Sequence, residues 1–232
     1  MSHWILVRIL RFMTTLLCRI ESGSLSRVPK SGPLILVTNH VNILEIPVLY
    51  TRLQPRPISG FFAAYRMKST WLRWLLTTFG GIPVERGRPD RHAMSQAAAR
   101  LRAGDIFALA PEGTRSKDGT LQRGRAGVVL LALESGAPVL PLAFWGSENW
   151  QKNLKRLRRT PFNIAVGTPF RIKCSQRPDR ATRQSVVDEI MRELAALLPE
   201  QYRGAYLDAP GTAPRYLEFI PMEEVGSSFL KA

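Results

Sequence analysis

Short apolar runs recur along the chain, and stretches with helical spacing separate them. Residues 34–38, Leu-Ile-Leu-Val-Thr, are the first run and read as a buried strand, followed by helical content over 43–53 up to Gln54-Pro55. Residues 106–110, 138–145 and 162–166 read as further strands, and Ile82-Pro83-Val84 as a short extended piece. Between them, 91–102 is rich in Ala and Leu, with Asp90 placed as an N-cap and Gly104 as a stop. Residues 124–135 and 181–198 read as helices, the second ended by Pro199. Residues 61–78 also read as helical, carrying Trp71 and Trp74 beside Arg66, Lys68 and Arg73, until Gly80-Gly81. Strands that alternate with helices predict an α/β fold: a mainly parallel central sheet flanked by helices, with ligands beyond the carboxyl ends of its strands.

The N-terminal pattern differs. On a helix over 4–20, Arg8, Arg11, Thr15, Arg19 and Ser22 share an arc of roughly 80°. Leu6, Ile9, Leu10, Met13, Leu16, Leu17 and Ile20 occupy the remainder. A spanning helix would hold Arg11 near mid-bilayer, at about 2.5–3.5 kcal/mol for one Arg. An amphipathic helix lying on a membrane surface avoids that cost, and packing on the core is the other use of such a face. Residues 18–22 offer no small-residue cleavage site, which argues against a signal peptide. The expected organisation is a membrane-association segment over 1–30, one domain over 31–204, and a loosely structured tail over 205–232, where Pro and Gly replace periodicity.

Composition narrows the partners. A chain of 232 residues can bury a single core, and its formal charge of +15 points to anions: a membrane surface, phosphorylated small molecules or nucleic acid. No helix-turn-helix, zinc-finger or RNP-like aromatic pattern is present, so nucleic acid is not the expected partner. Cys18 and Cys174 stand far apart without metal-ligand spacing. Neither a disulfide framework nor a metal site is expected, and reduced thiols suit the cytosol.

Chemistry is concentrated at strand ends. His40 follows the run 34–38, and Glu45 comes five residues later. On one continuous helix those side chains would diverge by about 140°, so they meet only if His40 sits on a strand-to-helix turn and Glu45 reaches back from the first helical turn. An imidazole held by a carboxylate is a general-base arrangement for an alcohol near neutral pH. Three further segments are loaded: 80–87 with Glu85-Arg86, 111–116 with Pro-Glu-Gly-Thr-Arg-Ser, and 137–142 with Pro138 and Pro141.

Taken in order, Asn39-His40 with its acidic residue, Gly81-Ile82-Pro83-Val84-Glu85-Arg86, Pro111-Glu112-Gly113-Thr114-Arg115-Ser116 and Pro138-Val139-Leu140-Pro141 resemble the glycerolipid acyltransferase family, of which lysophosphatidate acyltransferase is the best-known member. The resemblance covers roughly residues 34–170, including Val166-Gly167-Thr168-Pro169. It implies acyl transfer from acyl-CoA or acyl-carrier protein to the hydroxyl of a lysophospholipid, most of all 1-acylglycerol-3-phosphate, at the cytoplasmic membrane face and without a cofactor. His40 would be the base and Glu45 its orienting partner. Arg86 and Arg115 would bind the acceptor phosphate, and Glu112, Gly113 and Thr114 would shape the acceptor site. Pro138 and Pro141 would be architectural or help form the acyl-donor site. Two positions depart from the family: Glu45 stands where most members carry Asp, and Tyr65 and Met67 stand where many carry a Lys-x-Glu pattern.

Overall fold

The structure, a computed structural model, describes residues 3–85, 90–116, 118–208 and 213–227. The chain runs α1 (His3–Leu17), β1 (Cys18–Glu21), β2 (Leu34–Thr38), α2 (Glu45–Arg52), β3 (Ile58–Ala63), α3 (Thr70–Thr78), β4 (Gly81–Val84), α4 (Arg91–Arg102) and β5 (Ile106–Leu109). It continues with α5 (Gly127–Ser135), β6 (Val139–Trp145), α6 (Trp150–Lys155), β7 (Thr160–Val166), β8 (Phe170–Ile172), α7 (Arg180–Ala196), β9 (Leu217–Phe219) and α8 (Glu224–Ser227).

The strands form one sheet in the order β1-β7-β6-β2-β5-β3-β4, with β8 beside β6 and β9 beside β8. The run β6-β2-β5-β3-β4 is parallel throughout. β7 is antiparallel to β6, as is β8, and β1 is parallel to β7. β2 sits between β5 and β6 and is buried along its whole length. Its alternation splits it between two cores: Ile35 and Val37 join the apolar faces of α4, α5 and α7, while Leu34 and Leu36 join those of α1 and α2. Burying each such side chain stabilises the fold by about 1.5–3 kcal/mol, which makes β2 a firm support for whatever follows it.

Local sequence explains the flanking helices. The Asp90 carboxylate accepts the Ala93 N–H at 2.9 Å and opens α4, whose buried Ala93, Ala97 and Ala98 let the helix approach the sheet closely. In α7 the buried Val186, Val187, Ile190, Met191 and Leu194 recur at helical spacing. Pro83 is tolerated in β4 because β4 is an edge strand.

Three expectations need correction. Residues 61–78 are not one helix. Residues up to Ala63 belong to β3, and a 3-10 turn over Ala64–Lys68 precedes α3. An apolar Phe61-Phe62 pair fits either period, and here the neighbours β4 and β5 select the strand. The segment after 204 is not loose where described: Tyr206, Leu217 and Val225 are buried, and β9 pairs with β8. Nor is 1–30 separate from the domain, since β1 pairs with β7. Both segments gain order from long-range partners that local periodicity does not report. No helix among the described residues is long and apolar enough to cross a membrane.

Candidate active site

The parallel strands β2, β5 and β6 end on one edge of the sheet, and the loops that follow them converge there. Asn39, the first residue beyond β2, continues the pairing with its side chain. Its Nδ2 donates to the Phe144 carbonyl at 2.7 Å, and its Oδ1 accepts the Phe144 N–H at 2.8 Å. The backbone of His40 is then held from both directions: its N–H donates to Glu112 Oε1 at 3.0 Å, and its carbonyl accepts from the Ser116 N–H at 2.8 Å.

The His40 ring stands on the turn between β2 and α2, and Glu45 is the first residue of α2, the bend that the five-residue spacing requires. Glu45 Oε2 lies 2.6 Å from His40 Nδ1. Its other oxygen accepts the N–H groups of Val41 at 2.7 Å and Asn42 at 2.8 Å. The extra methylene relative to Asp is thus taken up by the turn, and the carboxylate fills its acceptor sites without strain on the ring contact. With Nδ1 facing a carboxylate, the ring leaves Nε2 as the atom free to take a proton. The ring side is about a quarter open, 26 %, whereas the Glu45 side chain is 4 % exposed. Such a pair can deprotonate a hydroxyl presented at the open edge and stabilise the imidazolium that results.

Glu112 follows β5 and is 2 % exposed. Its Oε1 accepts from His40 and its Oε2 from the Gln122 N–H at 3.0 Å. Burial pushes its carboxyl up to about 7, against the downward pull of those two N–H donors and of His40. Both oxygens are committed to backbone. Through these two contacts the residue braces the His40 turn. Gly113 turns the chain with φ +71°, and the Arg125 side chain lies against it, 3.3 Å from where a Cβ would stand. Thr114 is half-buried and Arg115 exposed on the same loop. Arg86, expected at the phosphate site, lies outside the described residues.

Pro138 and Pro141 are both buried. Pro138 precedes β6 on the edge opposite His40, where its carbonyl accepts the Ile35 N–H at 2.9 Å, and Pro141 pairs with Val37 inside the sheet. Neither is brought to His40, so the architectural alternative fits them. Sequence reasoning gave no individual role to Asn42, Ser116, Gln122 or Ser147. Asn42 Oδ1 accepts the Leu44 N–H at 2.9 Å, a local turn that Asn before a helix signals. Its Nδ2 donates to Ser147 Oγ at 2.7 Å, which ties the turn to the loop after β6 and has no local signature. Among the described residues no group of His, Cys, Asp and Glu could hold a metal ion.

The chain resembles proteins of known naming. It is 27 % identical over 135 residues to a chloroplastic 1-acyl-sn-glycerol-3-phosphate acyltransferase of Brassica napus, a match covering 56 % of this chain and 38 % of that protein. Against the Bacillus subtilis 1-acyl-sn-glycerol-3-phosphate acyltransferase it is 23 % identical over 144 residues, covering 62 % of this chain and 69 % of the relative. The matched region thus spans well under half of the Brassica napus relative. In fold it is similar to the crystal structure of the 1-acyl-sn-glycerophosphate acyltransferase from Thermotoga maritima, with a TM-score of 0.60, 21 % identity, and 91 % of this chain and 81 % of that one covered. The acyltransferase family model matches residues 19–145, more than half of the chain and the stretch that holds the His40 turn and the Glu112 loop, so the chain belongs to the acyltransferase family.

Proposed function

We propose that the protein transfers a fatty acyl group from a thioester, acyl-CoA or acyl-carrier protein, to the hydroxyl of 1-acylglycerol-3-phosphate, giving phosphatidate. The observation that carries this reading is the 2.6 Å pair of His40 Nδ1 and Glu45 Oε2, on a turn anchored beyond the carboxyl end of the central strand. In the proposed step the acceptor hydroxyl gives its proton to His40 Nε2 as its oxygen attacks the thioester carbonyl carbon. The C–S bond then breaks, and the departing thiolate takes the proton from the imidazolium. Atoms balance without a covalent enzyme intermediate. Arg115, with Arg86, would bind the acceptor phosphate through paired N–H donors. The names of the relatives in Brassica napus and Bacillus subtilis support the acceptor.

The reading includes attachment to the cytoplasmic face of a membrane. Its support is α1, which packs Leu6, Val7 and Thr14 inward and leaves Trp4, Ile5, Ile9, Phe12, Met13 and Leu16 exposed. The guanidinium of Arg8 stacks on Trp4 at 3.4 Å, a cation beside an aromatic ring as an interface favours. Tyr50 touches His3 at the start of α1 and Phe79 just after α3, so both helices flank α2 on one side of the sheet. Trp71 and Trp74 on α3 are exposed as well, as are Ile43 and Ile46, which follow His40 in the chain. A lipid acceptor would reach the base from that side.

The test is transfer by purified protein from radiolabelled acyl-CoA or acyl-carrier protein to lysophosphatidate, with His40→Ala beside it. A base of this kind contributes about 10²–10⁴-fold, so the variant should lose at least a hundredfold with an unchanged melting temperature. No transfer by the unaltered protein, or equal transfer by His40→Ala, would sink the proposal.

A further inference from the structure

The molecule has a recess whose lining does not include His40. An open groove of about 960 Å³ runs between one stripe of α7 and the loop that continues from Glu112. The α7 wall is the ridge Arg180, Gln184, Asp188 and Arg192, spaced by four as residues on one helix face are. Arg123 and Tyr206 face it. None of the three guanidiniums forms an ion pair among the described residues. Arg192 lines the groove, and its Nε is buried without a hydrogen-bond partner.

The carboxylates of Asp188 and Asp208 offset part of this charge, and the three guanidiniums leave the lining net positive. Asp188 accepts from Gln184 Nε2 at 3.0 Å and from the Tyr206 hydroxyl at 3.1 Å. The same hydroxyl accepts the Gly124 N–H at 3.1 Å, so these groups hold the floor together. Asp208 is exposed. The groove is also close to the chemistry along the chain, because Gln122, whose N–H meets Glu112, immediately precedes Arg123.

We propose that this groove takes the phosphate groups of a nucleotide-type acyl donor, acyl-CoA, whose long flexible arm carries the thioester over the 122–125 loop to His40. The proposal rests on the acyl-transfer reading above. Planar guanidiniums match phosphate oxygens in pairs, and the volume is that of a site for a ligand of nucleotide size. A concave recess of this kind suits a small polyphosphate better than the convex acidic helix of a carrier protein.

Titration calorimetry with desulfo-CoA, which binds without reacting, tests the groove on the full chain. Arg180→Gln with Arg192→Gln, and separately Arg123→Gln, should weaken binding about tenfold or more, as loss of a charge-assisted pair implies. The KM for acyl-CoA should rise in step, while the KM for lysophosphatidate and the melting temperature stay unchanged. Unaltered desulfo-CoA affinity in these variants overturns the proposal, as does an effect confined to the acceptor or to acyl-carrier protein. The two readings fail separately. Arginine-dependent binding by a protein that transfers nothing keeps the groove and removes the acyl-transfer reading. Transfer that ignores the three arginines keeps that reading and removes the groove.

Discussion

At the scale of single residues, one carboxylate aims the imidazole and another braces its backbone. Glu45 spends one oxygen on the ring and the other on two N–H groups of the turn. Glu45→Asp shortens the reach by one bond and breaks one of these sets, so kcat should fall about 10–100-fold with little change in acceptor KM, measured by steady-state kinetics. Higher activity in the Asp variant would show that the turn is not built around Glu. Glu112 gives a pH signature. Its carboxyl titrates at about 7 in the fold against an ordinary value of 4.5, so between those values the folded protein holds a proton that the unfolded chain has released. Its contribution to stability is full at the acid end and is lost as pH rises through 7. Glu112→Gln removes that dependence and sets an amide NH₂ against a backbone donor, costing about 1–3 kcal/mol at pH 5. Urea midpoints of the two proteins should therefore lie closer at pH 8 than at pH 5. The pairing of His40 with Glu45 was legible because it needs only a spacing and a bend. The inward aim of Glu112 was not, because it depends on where the 118–125 loop brings the Gln122 N–H.

At the scale of elements, α1 shows how a helix divides its apolar surface. The inner stripe packs on α2, whose Tyr50 hydroxyl meets His3 at 3.2 Å, and the outer stripe has no cover among the described residues. Phe12 and Leu16 lie on that outer stripe, 66 % and 57 % exposed. Phe12→Glu with Leu16→Glu should cut binding to anionic vesicles at least about tenfold, each lost apolar contact being worth roughly 1.5–3 kcal/mol, and leave the melting temperature in solution unchanged. Sedimentation with vesicles reads the first and calorimetry the second. The amphipathic pattern was visible in the sequence. The division of its apolar arc was not, since only the position of α2 decides which part is covered. β1 and β9 were hidden for a related reason: short pieces with mixed polarity become strands when β7 and β8 supply the hydrogen bonds.

At the scale of the whole molecule, the sheet separates two kinds of surface. The apolar helices α1 and α3 share the layer of α2, and the arginine groove lies on α7 in the opposite layer. The alternation of strands and helices was enough to read the α/β layering and the edge on which the site lies. The meeting of the loops on that edge depends on the strand order, which local pattern does not specify. That meeting passes through one buried side chain. Glu112 acts as a rivet through two sheets of chain: one oxygen takes the His40 turn and the other the 118–125 loop. The turn loses its freedom while the protein folds, so binding of substrate need not supply that ordering. A rivet also sets the order in which the structure fails on heating. Leu121 is the buried apolar side chain of the loop, so the loop is expected to open before the sheet, and opening would withdraw the brace from His40. Acyl transfer should accordingly disappear several degrees below the loss of far-ultraviolet circular dichroism, and return on cooling so long as the sheet has stayed intact.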